Sequence, residues 1–229
     1  MLIKKNCCCI LILFLNWPRF AQSCVNAVSV IIKNENKTIG LPAPGVKRVV
    51  FIGNSITSGW LNTMPSFFTG NPYINRGISG QTSPQMLLRF RQDVIALQPT
   101  CVVILAGTND IAGNTGPSTL EMIEDNIASM AELALVHKIK VVLCSVLPVF
   151  DYPWKPGLQP ADKIVTLNKW IEIFAKENQC IYLNYHSAMA DERNGLKEAY
   201  GNDGVHPNEA GYKVMAVLAE KAIQLALGK

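Results

Sequence analysis

A serine and a distant aspartate–histidine pair are the residues that could carry nucleophilic chemistry. Ser55 follows Gly53 and Asn54 directly after an apolar run, and Asp203 stands three residues before His206. A carboxylate at that spacing can bond one imidazole nitrogen while the other nitrogen accepts the proton of a serine hydroxyl, which then attacks a carbonyl carbon. Each signal alone has a structural alternative: a turn or helix N-cap for the serine, and a loop contact for the pair.

Two further loops could supply hydrogen-bond donors near the same place. The segment 75–82 (NRGISGQT) contains glycines that let the backbone turn sharply and present its N–H groups. The segment 107–110 (GTND) follows an apolar run and carries Asn109, whose carboxamide could donate into the crevice beside Ser55. An ordinary glycine-rich loop and an Asx turn remain the alternatives for these two segments.

The pattern around these loops is typical of a parallel α/β fold, because short apolar runs alternate with longer helical ones from Val46 onward. Predicted strands are 48–52, 73–75, 102–106, 140–146 and 181–184, and predicted helices are 55–60, 84–97, 118–137, 161–178 and 209–227. Strand runs such as VVFI and VVIL indicate burial on both faces. We expect a three-layer α/β/α sandwich with a central, mostly parallel five-stranded sheet, flavodoxin-like, which binds ligands beyond the carboxyl ends of its strands.

Composition and charge bound the classes of function. The chain has 229 residues, of which 49% are hydrophobic and 17% charged, so it can bury a full core and is neither disordered nor fibrous. Its formal net charge is +4, but Lys4, Lys5 and Arg19 precede residue 24 and the remainder is close to neutral. A protein that binds nucleic acid or a membrane surface would need clustered basic residues, so we expect neither partner.

The amino terminus has the organisation of a secretory signal peptide. A basic start is followed by the nine-residue apolar run 7–15, far shorter than the ~20 residues of a membrane span. Small residues before Cys24 favour cleavage there, which gives three segments: a signal peptide 1–23, an extension 24–45 with a β-like run at 28–32, and a domain 46–229. We therefore expect export to the periplasm or the extracellular space.

Two other interpretations of this region stay open. The stretch 21–24 (AQSC) is similar to a loose lipoprotein box, in which Cys24 would become a lipidated first residue and the only link to a membrane. The other is a buried helix.

The three cysteines outside this region, Cys101, Cys144 and Cys180, lie in or beside apolar runs and are predicted to be small core residues. They are not expected to form a disulfide or a metal site. Neither CxxC nor HxxxH spacing occurs, so we expect no metal site. His137 and His186 are interpreted as structural.

Four segments taken together resemble the SGNH hydrolases, also called the GDSL esterase/lipase family. They are 53–57 (GNSIT), 77–82 (GISGQT), 107–110 (GTND) and 203–208 (DGVHPN), and the resemblance extends from Val46 to the carboxyl terminus. It implies the SGNH hydrolase fold and a Ser-His-Asp mechanism without a cofactor. One departure is Asn54, which stands where the family name has aspartate.

The resemblance also implies a role for each matching residue. Ser55 would be the nucleophile, Asp203 and His206 would complete the triad, and Gly80 and Asn109 would join the Ser55 N–H as oxyanion-hole donors. The implied reaction is acyl transfer through an acyl-enzyme on Ser55.

The substrate is less defined by sequence. Trp60 and the segment 148–160, with Tyr152 and Trp154, are predicted to wall the site. The alternative for Tyr152 and Trp154 is a surface loop packed on itself. The sequence has no long apolar lid, which argues against a lipase that acts on long-chain triglyceride. Polar loops with isolated aromatic residues favour a short acyl group, most simply acetyl, on carbohydrate. Alternatives are a lysophospholipase or thioesterase of the same fold, a flavodoxin-like phosphate-binding module, and a glycan-binding protein without catalysis.

Overall fold

The computed structural model describes residues 35–228. Contacts divide the chain into a unit spanning 1–40, of which 35–39 are helical, and a second unit spanning 41–229. The predicted signal peptide 1–23, Cys24 and the β-like run 28–32 lie outside the described residues. The segment boundaries proposed from sequence therefore stay predictions. All elements named below belong to the second unit.

Five parallel strands form the central sheet in the order β2-β1-β3-β4-β5. They are β1 (Val49–Gly53), β2 (Tyr73–Gly77), β3 (Cys101–Ile104), β4 (Lys140–Cys144) and β5 (Ile181–Leu183). The chain passes from β1 to β2 on one side and then crosses to β3 on the other. The order reverses at β1, and ligands bind beside such a switch point in open parallel sheets.

Helices cover both faces of the sheet, which confirms the predicted three-layer α/β/α architecture. They are α1 (Ser55–Thr63), α2 (Ser66–Thr69), α3 (Ser83–Asp93), α4 (Thr108–Ile111), α5 (Leu120–Val136), α6 (Ala161–Glu177), α7 (Tyr185–Met189) and α8 (Glu209–Ala226). Short 3₁₀ turns occupy Ile95–Leu97 and Glu198–Tyr200. Helix α3 contacts α5 and α5 contacts α6, while α1 contacts α8.

The core is built on strands that are buried on both faces. Val49, Val50 and Ile52 of β1 are fully enclosed, as their uninterrupted apolar sequence predicts. Phe51 lies edge-on to Phe68 with ring centroids 5.5 Å apart. Removing such a ring would cost about 3–5 kcal/mol, so this packing holds β1 firmly beneath the residues that follow it.

The three cysteines of residues 35–228 belong to the core. Cys101, Cys144 and Cys180 are buried free thiols in the core, as predicted. Burial raises the pKa of the Cys101 thiol to about 12 and that of Cys180 to about 11, so these thiols stay protonated.

The observed helices differ from the predicted ones in two respects. The predicted helix 84–97 is instead α3 followed by the turn Ile95–Leu97. Helices α2, α4 and α7 were not predicted, because four or five residues are too few to show a hydrophobic period.

Candidate active site

The turn between β1 and α1 presents Ser55 at the edge of the sheet. A Cβ on Gly53 would lie 2.0 Å from Thr57 Oγ1, so only glycine lets the strand turn this closely into the helix. Asn54 Oδ1 accepts the Ile56 N–H at 3.0 Å and caps the first turn of α1. Ser55 is the first residue of that helix and is partly exposed.

The loop before α8 brings a histidine and a carboxylate to this serine. Ser55 Oγ lies 2.9 Å from His206 Nε2, and His206 Nδ1 lies 2.7 Å from Asp203 Oδ2. Asp203 Oδ1 in turn accepts the backbone N–H groups of Val205 at 2.9 Å and of His206 at 2.7 Å. A continuous hydrogen-bonded relay therefore runs from the hydroxyl through the imidazole to a carboxylate that the backbone holds in place.

Hydrogen bonds set the charge state of this carboxylate. Partial burial alone would raise the pKa of Asp203, but the hydrogen bonds from the His206 backbone N–H, the His206 ring and the Val205 N–H outweigh it. The pKa of Asp203 therefore lies below its ordinary value. Asp203 is ionised at neutral pH and can stabilise positive charge on the imidazole.

The glycine-rich loop after β2 and the asparagine after β3 flank the end of β1. Gly80 has a φ of +77°, a left-handed conformation that favours glycine, and it is exposed. Asn109 is buried at the start of α4, and its Nδ2 donates to the backbone oxygen of Gln81 at 2.9 Å. The structure thus brings the two predicted donor loops into direct contact with each other.

A buried carboxylate joins the same two loops from below. Asp110 accepts the Ser83 N–H at 2.9 Å and the Ser83 hydroxyl at 2.6 Å, which ties the start of α3 to α4. Burial raises the pKa of Asp110, and the Ser83 hydrogen bonds oppose that rise. Sequence analysis missed this role, although an aspartate directly after Asn109 could have been tested as a partner for the α3 N-terminus.

The segment after β4 forms a compact loop beside the histidine. Asp151 carboxylate oxygens accept the Gly157 N–H at 2.6 Å and the Leu158 N–H at 3.1 Å, which closes the loop on itself. Trp154 is 47% exposed, and its ring centroid lies 6.2 Å from that of His206. An accessible aromatic face therefore borders the relay.

Comparison with known proteins identifies the family. Residues 51–214 match the model of the GDSL-like Lipase/Acylhydrolase family. The chain belongs to this family. This confirms the resemblance drawn from the four sequence segments, and the family is one of lipases and acylhydrolases.

Individual relatives agree with this assignment. A GDSL-like lipase from Bacteroides thetaiotaomicron is 51% identical, with a TM-score of 0.82 over 84% of this chain and 95% of that one. An acetylxylan esterase from Xylanibacter ruminicola is 30% identical over 82% of this chain and 45% of its own length. An uncharacterized Bacillus subtilis lipoprotein, YqeF, is 30% identical over 50% of this chain and 54% of its own length. The chain spans about half the length of these two curated relatives.

Asn54 stands where the name of the GDSL-like family has aspartate. The amide oxygen makes the helix-capping contact that a carboxylate could make there, so that function is retained. Asn54 Nδ2 is buried and has no hydrogen-bond partner within residues 35–228. Asn54 therefore leaves one polar atom unsatisfied beneath the turn between β1 and α1.

Two of the three aromatic residues predicted to wall the site are in the core. Trp60 is 2% exposed and stacks between Phe67, at 4.5 Å, and Tyr212, at 5.6 Å, because it lies one helical turn after the buried Ile56. Tyr152 is fully buried and its hydroxyl donates to the Thr108 backbone oxygen at 2.8 Å. Both predictions were wrong, since neither side chain is accessible to a substrate.

Metal ligands, membrane spans and the two remaining histidines concern residues 35–228. Within this range no cluster of three or more His, Cys, Asp or Glu side chains could hold a metal ion, and no helix has the length and hydropathy of a membrane span. His137 is exposed with its Nδ1 2.8 Å from the Leu133 backbone oxygen, and burial lowers the pKa of His186. The imidazole that lies within hydrogen-bonding distance of Ser55 is that of His206.

Proposed function

We propose that this protein is an exported serine esterase that hydrolyses short-chain acyl esters, most simply acetyl esters, on carbohydrate. The observation that carries the proposal is the relay in which Ser55 Oγ, His206 and Asp203 are joined by contacts of 2.9 Å and 2.7 Å. These are hydrogen-bonding distances for a nucleophile, its base and the group that orients the base.

The relay suits two-step acyl transfer. His206 Nε2 accepts the proton of Ser55 as the hydroxyl oxygen attacks the ester carbonyl, and Asp203 stabilises the imidazolium that forms. The imidazolium then protonates the departing alcohol, which leaves an acyl group on Ser55. A water molecule, deprotonated by the same imidazole, attacks this acyl-enzyme and releases the acid.

The tetrahedral oxyanion needs hydrogen-bond donors opposite the nucleophile. We assign this role to the backbone N–H groups of Ser55 and Gly80 and to the Asn109 carboxamide. One amide hydrogen of Asn109 is held by the Gln81 backbone oxygen at 2.9 Å, which restrains the orientation of the whole group. Each such donor is worth about 3 kcal/mol in the transition state, or about two decades in rate.

Trp154 supports a carbohydrate leaving group. Its exposed ring lies beside His206, the residue that returns the proton to the departing alcohol in the proposed mechanism. A flat aromatic face suits the apolar face of a sugar ring, and the acetylxylan esterase of Xylanibacter ruminicola is similar over most of this chain. Glycan esters or small-molecule esters are therefore the proposed substrates, and nucleic acid is not a proposed partner.

Export is part of the same proposal. The basic and apolar leader 1–23 supports it, and the similarity to the Bacillus subtilis lipoprotein supports lipidation of Cys24. Intact mass of the mature protein distinguishes the forms: a diacylglyceryl adduct on Cys24, an unmodified chain that begins at Cys24, or an unprocessed chain, which would contradict export.

The substrate proposal is tested with p-nitrophenyl esters from acetyl to palmitoyl, followed by acetylated xylan and pectin. A long acyl chain gains ~0.8 kcal/mol per methylene only where an apolar wall receives it. We expect kcat/KM for acetyl and butyryl esters to exceed that for octanoyl esters by about tenfold or more. An optimum at eight carbons or longer, or faster turnover of lysophospholipids or acyl thioesters, would contradict a carbohydrate esterase.

A further inference from the structure

A buried arginine links residues 53–55, which form the nucleophile turn, to the glycine-rich loop 75–82. Arg89 lies on α3 and is 6% exposed. Its Nη2 donates to the Gly53 backbone oxygen at 3.0 Å, and its Nε donates to Gln81 Oε1 at 2.5 Å. Its Nη1 donates to the Arg76 backbone oxygen at 2.9 Å and pairs with Asp93 one helical turn later.

Apart from Asp93, the acceptors of this guanidinium lie on the two segments that carry Ser55 and Gly80. Gly53 ends β1 two residues before Ser55, and Gln81 directly follows Gly80. The Arg76 oxygen lies at the end of β2, where the glycine-rich loop begins. The rigid, planar Arg89 guanidinium therefore bonds to the nucleophile turn and to both ends of the glycine-rich loop.

Stability alone does not account for such a group. Burying a charge costs several kcal/mol, and replacing a buried ion pair by apolar side chains of similar volume is often neutral or stabilising. Asp93 is fully buried as well, so this pair carries that full desolvation cost. What apolar packing cannot supply is the fixed geometry of donors aimed at three separate acceptors.

We propose that Arg89 is a positioning residue that fixes the Gly80 N–H relative to Ser55, so that the oxyanion hole is formed before substrate binds. The inference rests on the proposed function, because it assumes that Gly80 is an oxyanion donor. Arg89 does not touch the substrate. Its effect is expected on the transition state rather than on ground-state binding.

The test compares Arg89→Lys with Arg48→Lys. Arg48 is a matched control, since it is 8% exposed and its Nη1 donates to the Leu97 backbone oxygen at 2.8 Å, but it precedes β1 at the opposite end of the strand. Each variant replaces a buried guanidinium group by an ammonium group and keeps the positive charge. Well below the melting temperature, we expect Arg89→Lys to lower kcat for p-nitrophenyl acetate about tenfold or more with KM changed less than about threefold.

A transition-state mimic supplies the second readout. Arg89→Lys should weaken inhibition by an alkylboronic acid, which forms a tetrahedral adduct with the serine, by about the same factor as kcat falls. Arg48→Lys should change neither quantity. An unchanged kcat in Arg89→Lys, a loss confined to KM, or an equal loss in Arg48→Lys would overturn the proposal.

If Arg89→Lys does not fold, Gln81→Met decides the question. This variant removes one acceptor of the fork and leaves the buried Arg89–Asp93 pair intact. A fall in kcat of about threefold or more at constant KM supports positioning, and an unchanged kcat overturns it. Parent activity that survives Ser55→Ala would instead refute the proposed function itself, so the two failures are distinguishable.

Discussion

The indole of Trp154 and the imidazole of His206 lie with their ring centroids 6.2 Å apart and their planes at 39°. Tyr152 supports the indole from 5.0 Å, and its own hydroxyl is fixed on Thr108. Trp154 is thus an exposed ring that packs on the buried Tyr152. In the proposed function, this ring is the surface on which a sugar stacks.

Trp154→Ala is therefore expected to act on the leaving group. We expect kcat/KM for acetylated xylo-oligosaccharides to fall about tenfold, which corresponds to ~1.4 kcal/mol, while p-nitrophenyl acetate changes less than about threefold. Trp154→Phe should retain part of the lost activity. Trp170→Ala, which removes a ring stacked on Phe174 of α6, is the control. Equal losses on both substrates would show that Trp154 does not recognise the sugar.

Asp151 is expected to hold the Trp154 loop together. The Gly157 N–H contributes most to lowering the pKa of Asp151, slight burial opposes it, and the Gln159, Tyr152 and Leu158 N–H groups lower it further. A carboxyl whose pKa is lowered on folding stabilises the folded loop above its unfolded pKa, and this contribution is lost as the pH falls through the lowered pKa.

Asp151→Asn should consequently speed amide hydrogen exchange at Gly157 and Leu158 at pH 7. The difference in melting temperature between parent and variant should shrink as the pH falls below the ordinary range of an aspartate. Thr166→Val on α6, which removes a hydroxyl bonded to the Asp162 backbone oxygen, is a control for exchange in the loop. Identical exchange rates in parent and Asp151→Asn would contradict this role.

Substitutions of the relay residues should lower the esterase activity to different degrees. His206→Ala should lose nearly as much activity as removal of the serine, because no base then accepts its proton. Asp203→Asn should retain more, since the imidazole stays within reach of Ser55. The measurement is kcat/KM for p-nitrophenyl acetate in both variants, and a greater loss in Asp203→Asn than in His206→Ala would contradict the assigned roles.

The sequence predicts some parts of this site better than others, for physical reasons. Ser55, Asn109 and the glycine-rich loop could be placed at one edge of the sheet because the carboxyl ends of parallel strands converge there. The choice of Gly80 within that loop comes from the family resemblance. Closeness to Ser55 in the sequence predicts that Trp60 lines the site, but its position one helical turn after the buried Ile56 puts it in the core. Arg89 could not be predicted, since a charged helix residue normally faces solvent and only tertiary packing collects its acceptors.

Asn54 provides a test of how the nucleophile turn tolerates the family carboxylate. Asn54→Asp keeps an acceptor for the Ile56 N–H and adds a negative charge at the α1 N-terminus, which is favourable. We expect kcat within about threefold of the parent. Asn54→Ala should lower the free energy of unfolding by about 1 kcal/mol or more through loss of the cap. Urea denaturation and p-nitrophenyl acetate turnover measure both, and an inactive Asn54→Asp would show that the amide itself is required.

The central claim is that Ser55 is the nucleophile, and the most direct measurement is intact mass and peptide mapping after reaction with a fluorophosphonate. We predict a single adduct located on Ser55 in the parent. Ser55→Ala should give no adduct and about a thousandfold or greater loss of p-nitrophenyl acetate hydrolysis with an unchanged melting temperature. An adduct on another residue, or Ser55→Ala turnover within about tenfold of the parent, would contradict the account.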